Sequence, residues 1–360
     1  MALKTAFFVN EPKFSGQLTT LLVGAAGALL FRLADVPGGV MSGSMAAVAL
    51  FSVPGWATSI GTILRLTALI LSGVSIGSAV TPETLRGIAT YPLSLVMMSI
   101  SSLAVTGAST LYLIRFYGWN KATSLLSSTP GGFSSALSIA AVTNADIPRI
   151  VIVQMFRVSF LMVILPIVVS GAGVHLATPG IHAVDSYSVI ALILIPGIAF
   201  GHFLDRRKLA GGMFLGVMLV SGTIHGLGIA PGRPPDIMMF FSQMMIGSWI
   251  GSRFVGFQWK TLGSMMGAAI GSIVVTLVVA TIFAELTSLL LGISFGSVMV
   301  AFAPGAFEAM TMLAFSLGLD PLYAVAHHLG RLLLMTIAMP VLVKAWLKDS
   351  MLPTKTRSFK

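Results

Sequence analysis

The segment TPGGFSSALSIAAVTNADIPRIVIVQMFRVSFLMVILP, residues 129–166, recurs without a gap as APGAFEAMTMLAFSLGLDPLYAVAHHLGRLLLMTIAMP, residues 303–340. Apolar segments resemble one another by chance, so shared leucines would carry little weight. The identities here include proline, glycine, aspartate and arginine, which chance does not readily place in register. The residues Pro130, Gly131, Phe133, Ala140, Asp146, Val151, Arg157 and Pro166 pair with Pro304, Gly305, Phe307, Ala314, Asp320, Val325, Arg331 and Pro340. An internal duplication of this kind predicts two copies of one folding unit.

The composition places both copies in a membrane. Hydrophobic residues make up 56% of the 360 residues and charged residues only 9%, with a mean hydropathy of +0.96. A soluble domain is about 25% charged. Four stretches are nearly free of charge over a length that can cross the hydrocarbon as a helix, namely residues 93–113, 150–174, 262–284 and 289–306. The sequence therefore predicts a polytopic membrane protein without a soluble domain large enough to fold alone.

Two shorter blocks extend the duplication towards the N-terminus at nearly the same spacing. Gly38, Gly39, Gly43 and Met45 match Gly211, Gly212, Gly216 and Met218, and Gly73, Ile76, Gly77 and Ser78 match Gly247, Ile250, Gly251 and Ser252. The repeated Gly-x-x-x-Gly spacing is typical of closely packed helices. We divide the chain into a first membrane repeat at 1–172, a linker at 173–186, a second membrane repeat at 187–347 and a basic cytoplasmic tail at 348–360.

The basic residues are distributed as in the loops of a membrane protein. The net charge is +10, but lysine and arginine fall singly or in short clusters between apolar segments, as in Asp-Arg-Arg-Lys at 205–208. This pattern is typical of cytoplasmic loops under the positive-inside rule. No basic face of a soluble module is available to dock on a groove, so we expect no direct nucleic-acid partner.

Each copy contains six hydrophobic elements, and the fifth is interrupted by Pro-Gly. In the first copy they fall at 17–33, 39–53, 58–80, 92–117, 122–142 and 147–171, and in the second at 187–204, 211–226, 236–254, 261–284, 288–317 and 321–347. Proline removes a backbone donor and glycine loosens a helix, so each fifth element should consist of two short helices that meet at a turn.

Loop charge indicates whether the broken element crosses the bilayer or enters and returns. If it returns, each copy crosses five times, and the outer side keeps only Arg32, Arg86 and Arg233. If it crosses, the basic cluster at 206–208 is forced outside, so the positive-inside rule favours return. Because five is odd, the second copy should be inverted, both termini should be cytoplasmic, and the broken elements should meet near the midplane.

The two Pro-Gly turns form the first part of a candidate site. Helix N-termini at such turns present unpaired amides and a positive dipole end to a bound anion. The alternative is that each turn simply joins two helices, but its recurrence within apolar sequence favours binding. The candidate residues are Thr129, Pro130, Gly131, Gly132 and Ser134 in the first copy, and Pro304 and Gly305 in the second.

Charged residues beside the turns form the second part. Glu308 is costly at membrane depth unless it faces water, a cation or a proton partner, which would allow it to couple transport to a proton or sodium ion. The alternative is an interfacial position or a helix cap. Arg157 and Arg331 should face the bundle interior and pair with Glu308 or with a substrate anion. Snorkelling to the interface or a shared structural task is the alternative.

The remaining polar residues predict caps and no enzyme chemistry. Asp146 and Asp320 stand before early prolines, a helix-start signal, and should cap the helices that follow. His328 is a candidate proton-linked gate residue. Cysteine is absent, and the histidines show no ligand spacing with carboxylates. We therefore expect no catalytic residue, no metal and no cofactor. The first residues, 1–14, lack a cleavage pattern, so no cleaved signal peptide is expected.

One pattern occurs twice in the chain: a Pro-Gly turn, an apolar run, an Asp, and a helix that contains Arg and ends near Pro. This pattern resembles the duplicated membrane unit of the AbrB-type bacterial integral membrane protein family. Members carry the labels regulator, AbrB family transcriptional regulator and ammonia monooxygenase. The resemblance covers nearly the whole chain. Ala306 replaces the second glycine, and Ser134 stands where an acidic residue often follows the first turn, which sets the two turns apart.

The predicted fold is an all-α integral membrane protein with two inverted repeats of about five transmembrane helices, each with a broken or re-entrant helical hairpin. At this level it resembles the cation/proton antiporter and anion transporter folds.

Three functions remain open. The first is a secondary transporter or permease in the bacterial inner membrane, which binds a small solute, an anion being one candidate class, at crossed broken helices. The second is a membrane-embedded regulator that influences gene expression without transport. The third is a membrane enzyme subunit, which these residues do not support. Expected partners are the lipid bilayer and a small-molecule or ion substrate. The sequence leaves the oligomeric state open, and a homo-oligomer is one possibility.

Overall fold

The computed structural model describes residues 12–80, 91–131, 133–171, 185, 187–207, 209, 211–230 and 232–346. Within these residues the chain forms fourteen α-helices. In the first copy they are α1 (Phe14–Leu33), α2 (Gly39–Ser52), α3 (Thr62–Gly77), α4 (Tyr91–Tyr117), α5 (Lys121–Ser128), α6 (Phe133–Ala140) and α7 (Ile147–Gly171). In the second they are α8 (Tyr187–Arg206), α9 (Gly212–Gly226), α10 (Asp236–Gly251), α11 (Trp259–Leu291), α12 (Phe295–Phe302), α13 (Phe307–Ser316) and α14 (Pro321–Trp346).

These helices fall on the predicted hydrophobic elements, and each fifth element is broken in two. Helices α5 and α6 meet at Gly131, whose φ of +78° lies in the left-handed region that favours glycine. Among the described residues, six helices, α1, α4, α7, α8, α11 and α14, are long and apolar enough to span a membrane. The predicted all-α integral membrane class is thereby confirmed. The number of crossings per copy, the domain boundaries and the position of the termini stay predictions.

The broken element of the first copy is a hairpin. Asn120, just before α5, donates from Nδ2 to the carbonyl oxygen of Asn144, beyond the end of α6, at 3.0 Å. The backbone N–H of Asp146 donates to Oγ1 of Thr123 at 2.8 Å. If α5 and α6 lay end to end, the rise of their residues would separate these partners by about 24 Å. The chain therefore reverses direction between α5 and α6.

Equivalent helices of the two copies run antiparallel to each other. In α3, Ser72 hydrogen-bonds through Oγ to Ser242 of α10 at 2.8 Å. Towards the other end of the same pair, the guanidinium of Arg65 lies 5.8 Å from the ring centroid of Trp249. The residue number thus rises along α3 as it falls along α10. This direction is the one required of an inverted repeat.

Glycines bring the two copies into close contact. A Cβ on Gly73 of α3 would lie 2.9 Å from the backbone oxygen of Phe214 in α9. A Cβ on Gly251 of α10 would lie 2.5 Å from the backbone oxygen of Met45 in α2. No side chain fits at these distances, so the predicted Gly-x-x-x-Gly packing faces are confirmed, and each joins one copy to the other.

The inverted arrangement predicts that the two hairpin loops open on opposite faces of the membrane. Because the native chain has no cysteine, Asn144→Cys and Ser316→Cys each introduce a single reactive site, at an exposed and a partly exposed position. We expect a membrane-impermeant maleimide to label one variant in intact cells and the other only in inverted vesicles. Both should react in detergent, which controls for reactivity. Labelling of both from one face would contradict the inversion.

Candidate functional site

An arginine covers the end of the first half-helix in the second copy. Arg331 of α14 donates from Nη1 to the carbonyl oxygen of Ala303, and from Nη2 to those of Ala301 and Phe302, each at 2.8 Å. The last carbonyls of a helix have no partner within the helix and form the negative end of its dipole. The guanidinium of Arg331, whose residue is only 1% exposed, therefore acts as a charged cap on the end of α12.

The first copy repeats this cap at the equivalent positions, 174 residues earlier. Arg157 of α7 donates from Nη1 to the carbonyl oxygens of Ser127 and Ser128, and from Nη2 to that of Thr129, at 3.2–3.3 Å. Like its counterpart, Arg157 is buried, with 4% of its surface exposed. The duplication thus preserves a tertiary interaction as well as a sequence pattern, and neither arginine snorkels to the interface.

The residue three positions before each arginine extends the cap by one carbonyl. Gln154 donates from Nε2 to the carbonyl oxygen of Leu126 at 2.8 Å. At the equivalent position in the second copy, Nε2 of His328 lies 3.1 Å from the carbonyl oxygen of Val300. Nδ1 of His328 lies 3.2 Å from Nη1 of Arg331, which can only donate, so the hydrogen of the neutral ring belongs on Nε2. Both ring nitrogens of His328 are engaged.

The expected pairing of Arg157 or Arg331 with Glu308 is wrong. Among the described residues, the salt bridges join Arg149 to Asp146, His225 to Asp185 and Arg233 to Asp236. The arginines bind backbone oxygens instead. The ends of the half-helices supply several acceptors to each guanidinium without the desolvation of a second formal charge.

The two Pro-Gly turns open on one cavity of about 300 Å³. The cavity brings both copies together, because a Cβ on Gly131 of the first turn would lie 3.7 Å from Cγ and Cδ of Arg331 in the second copy. Its size is at the lower end of that of small-molecule pockets. Six predicted site residues line it: Gly131, Gly305, Glu308, Arg157, Arg331 and His328.

The other predicted site residues do not line this cavity or lie outside the described part of the chain. Thr129 is buried, and its hydroxyl donates to the carbonyl oxygen of Leu125 at 2.7 Å, so its side chain stabilises the end of α5. Neither Pro130 nor Pro304 contributes to the lining of the cavity. Gly132 and the side chain of Ser134 lie outside the described residues.

Arg253 belongs to the cavity, although its sequence position suggested only a cytoplasmic loop. It lies in the 3-10 turn Ser252–Phe254 after α10, and its guanidinium lies 4.7 Å from the ring centroid of Trp249. The first-copy counterpart is Ala79, so the repeat gave no signal for it. A residue without a charged counterpart cannot be found by comparing the two copies.

Glu308 lies in the first turn of α13, at the positive end of that helix dipole. Its Oε1 would be 3.4 Å from a Cβ on Gly211, which immediately precedes α9 and has a φ of +72°. Two helix starts therefore face this carboxylate. Among the described residues, it has no salt-bridge partner.

The predicted aspartate caps are confirmed. Asp146 accepts through Oδ1 from the backbone N–H of Arg149 at 3.2 Å. Asp320 accepts through Oδ1 from the backbone N–H groups of Leu322 and Tyr323 at 2.9 and 3.1 Å. These aspartates start the two helices that carry the cap arginines. In the described part of the chain, no group of three or more His, Cys, Asp or Glu side chains is arranged to hold a metal ion.

The sequence matches the family described as "Transition state regulatory protein AbrB" over residues 41–347. It is also similar to the uncharacterized protein YhjN of Bacillus subtilis (strain 168). The two are 25% identical over 354 residues, an alignment that covers 89% of this chain and 90% of the relative. The match to the family spans both copies of the duplicated unit.

Replacing Arg331 should destabilise the protein. Arg331→Ala leaves three buried carbonyl oxygens without their donor, and hydrogen bonds to a charged group contribute about 1.5–3 kcal/mol each. We expect a lower melting temperature in detergent, measured by differential scanning fluorimetry. Arg115→Ala is the control, because Arg115 is exposed at the end of α4. Equal melting temperatures for the two variants would rule out the cap.

Proposed function

This chain belongs to the AbrB family, and we propose that it is a secondary transporter or permease that binds a small solute in the cavity between its two turns. The observation that supports the proposal is the cavity itself, where charged side chains from both copies meet inside an apolar bundle. Ionisable residues within membrane segments are costly and mark solute or ion pathways. Inverted repeats with broken helices place their substrate sites at such a crossing.

The charge of the lining favours an anionic solute. Three guanidinium groups, those of Arg157, Arg253 and Arg331, line the cavity against one carboxylate, that of Glu308. Backbone carbonyls offset only part of this positive charge. Uncompensated charge is costly in a medium of low dielectric constant, so an anion in the cavity would stabilise the arrangement.

Glu308 is the candidate coupling residue. A carboxylate that shares a cavity with an anion is repelled by it unless the carboxylate is protonated or binds a cation. Binding of the anion would therefore bring a proton or a cation with it. The counterpart in the first copy is Ser134, so this coupling would belong to the second copy alone.

The proposal also includes an orientation in the bacterial inner membrane with both termini cytoplasmic. The cavity extends to Arg253, in a turn whose flanking charges favour the cytoplasmic side. The solute would then enter or leave from the cytoplasm in this conformation. Release on the opposite face would require the two hairpins to move relative to the rest of the bundle, as alternating access demands.

A membrane-embedded regulator is the second candidate, favoured by the word "regulatory" in the family description. A regulator without transport would act through a partner at its cytoplasmic loops or basic tail. Its phenotype should survive substitution of Glu308 and be lost when residues 348–360 are removed. A transporter should show the opposite pattern.

Substitution of Glu308 tests the transporter proposal. In proteoliposomes that contain a pH-sensitive dye, we expect at least one small organic acid in a panel to cause protein-dependent acidification. Glu308→Gln should reduce this flux at least tenfold, because the amide cannot carry a proton. Glu285→Gln is the matched control, since Glu285 is exposed on α11 and outside the cavity lining. Full flux in Glu308→Gln would exclude the coupling role. Absence of flux of every panel solute through the native protein would contradict the transporter proposal.

A further inference from the structure

The two cap arginines occupy equivalent positions but use their donors differently. A guanidinium has five N–H groups. Arg331 engages all five, since Nε donates to Oγ of Ser102 at 3.1 Å while Nη1 and Nη2 serve three carbonyls and His328. Arg331 therefore has no N–H group left to donate to a ligand.

Among the described residues, Arg157 finds acceptors for only three of its five donors. Its Nη1 makes two hydrogen bonds and its Nη2 one, while its Nε is buried without a partner. The free donors are thus the Nε hydrogen and one hydrogen of Nη2, and these two nitrogens form one edge of the guanidinium plane. A planar carboxylate binds such an edge through both of its oxygens. Arg157 is 96% buried and lines the cavity.

The difference arises from the helix that faces each arginine. Ser102 of α4, which serves Nε of Arg331, corresponds in the repeat to Thr276 of α11. The hydroxyl of Thr276 instead hydrogen-bonds Ser109 at 2.9 Å. Arg157 is therefore left without the equivalent partner. A buried charged donor without an acceptor is costly, so the site favours a ligand that supplies one.

We propose that the Nε and Nη2 edge of Arg157 binds the carboxylate of a small organic acid with an apolar body. The proposal rests on the proposed function, because it takes the cavity as the solute site, and it adds the chemical class of the solute. Two adjacent donors match the two oxygens of a carboxylate. The cavity that Arg157 lines is also lined by Phe133, Met155 and Val158, which suit an apolar group. Arg331 contributes charge to the cavity but no hydrogen bond to the ligand, because its donors are all engaged within the protein.

The repeat supplies a matched pair of variants for the test. Arg157→Lys and Arg331→Lys both keep the charge and lose a cap, but only the first removes a free bidentate edge. The probes are sodium propionate and sodium benzoate, their amides propionamide and benzamide, and sodium phosphate and sulfate. Thermal shift in detergent reports binding, because a ligand of the folded state raises its melting temperature.

For the native protein, we expect a carboxylate to raise the melting temperature and its amide to have no effect. Arg157→Lys should weaken the apparent affinity at least tenfold, whereas Arg331→Lys should retain it. If Arg157→Lys does not fold, Met155→Trp is the second variant, because it reduces the cavity volume and leaves both cap arginines in the chain, and it should abolish the carboxylate response.

Several outcomes would overturn the proposal: equal loss or equal retention of affinity in the two arginine variants, a native response to amides or only to phosphate and sulfate, or no response to any probe. The transporter proposal can fail separately. Carboxylate binding at Arg157 without flux in proteoliposomes would leave the binding site and remove transport. Flux of a solute that has no carboxylate would leave transport and remove the binding site.

Discussion

Carbonyl groups at the end of a helix inside a membrane must find donors, and this requirement underlies the whole centre of the molecule. In each copy the residues at the end of the first half-helix are buried in the bundle, so their carbonyls need donors from the protein. Arg157 and Arg331 supply these donors in the two copies. Each cap that satisfies the backbone carbonyls also places a full positive charge at the same point. The cavity between the two turns is lined by both of these charged side chains.

The scaffold is close to symmetric, whereas the chemistry of the cavity is not. The caps, the start of each following helix and the antiparallel pairing of α3 with α10 obey the repeat. Glu308 and Arg253 have the uncharged counterparts Ser134 and Ala79. Even the two cap arginines differ, since Nε of Arg157 has no acceptor among the described residues, whereas Nε of Arg331 donates to Ser102. Duplication thus supplies the frame that holds the two turns together, and divergence of single side chains makes the charge of the cavity lining differ between the copies.

Reasoning from sequence succeeded where the physical signal is local. Hydrophobic runs, Pro-Gly interruptions and Asp before an early proline placed the helices, the broken elements and the caps at Asp146 and Asp320. The sequence did not indicate correctly which groups the buried arginines bind. The sequence indicates Glu308 or a substrate anion as the partner of the arginines, whereas in the structure backbone oxygens accept their hydrogen bonds. Arg253 was missed because nothing in the repeat distinguishes it from an ordinary loop arginine.

The sequence alone determined the membrane class, the duplication and the positions of the helices, because apolar length, composition and in-register identities are properties of the chain itself. Only the tertiary structure decided what the buried arginines bind and which of them has donors to spare. Every residue carries a carbonyl oxygen, so an acceptor on the backbone leaves no mark in the sequence. Whether Nε of Arg157 or Arg331 finds an acceptor depends on a hydroxyl group from another helix. The position of that hydroxyl group is set only when the helices pack.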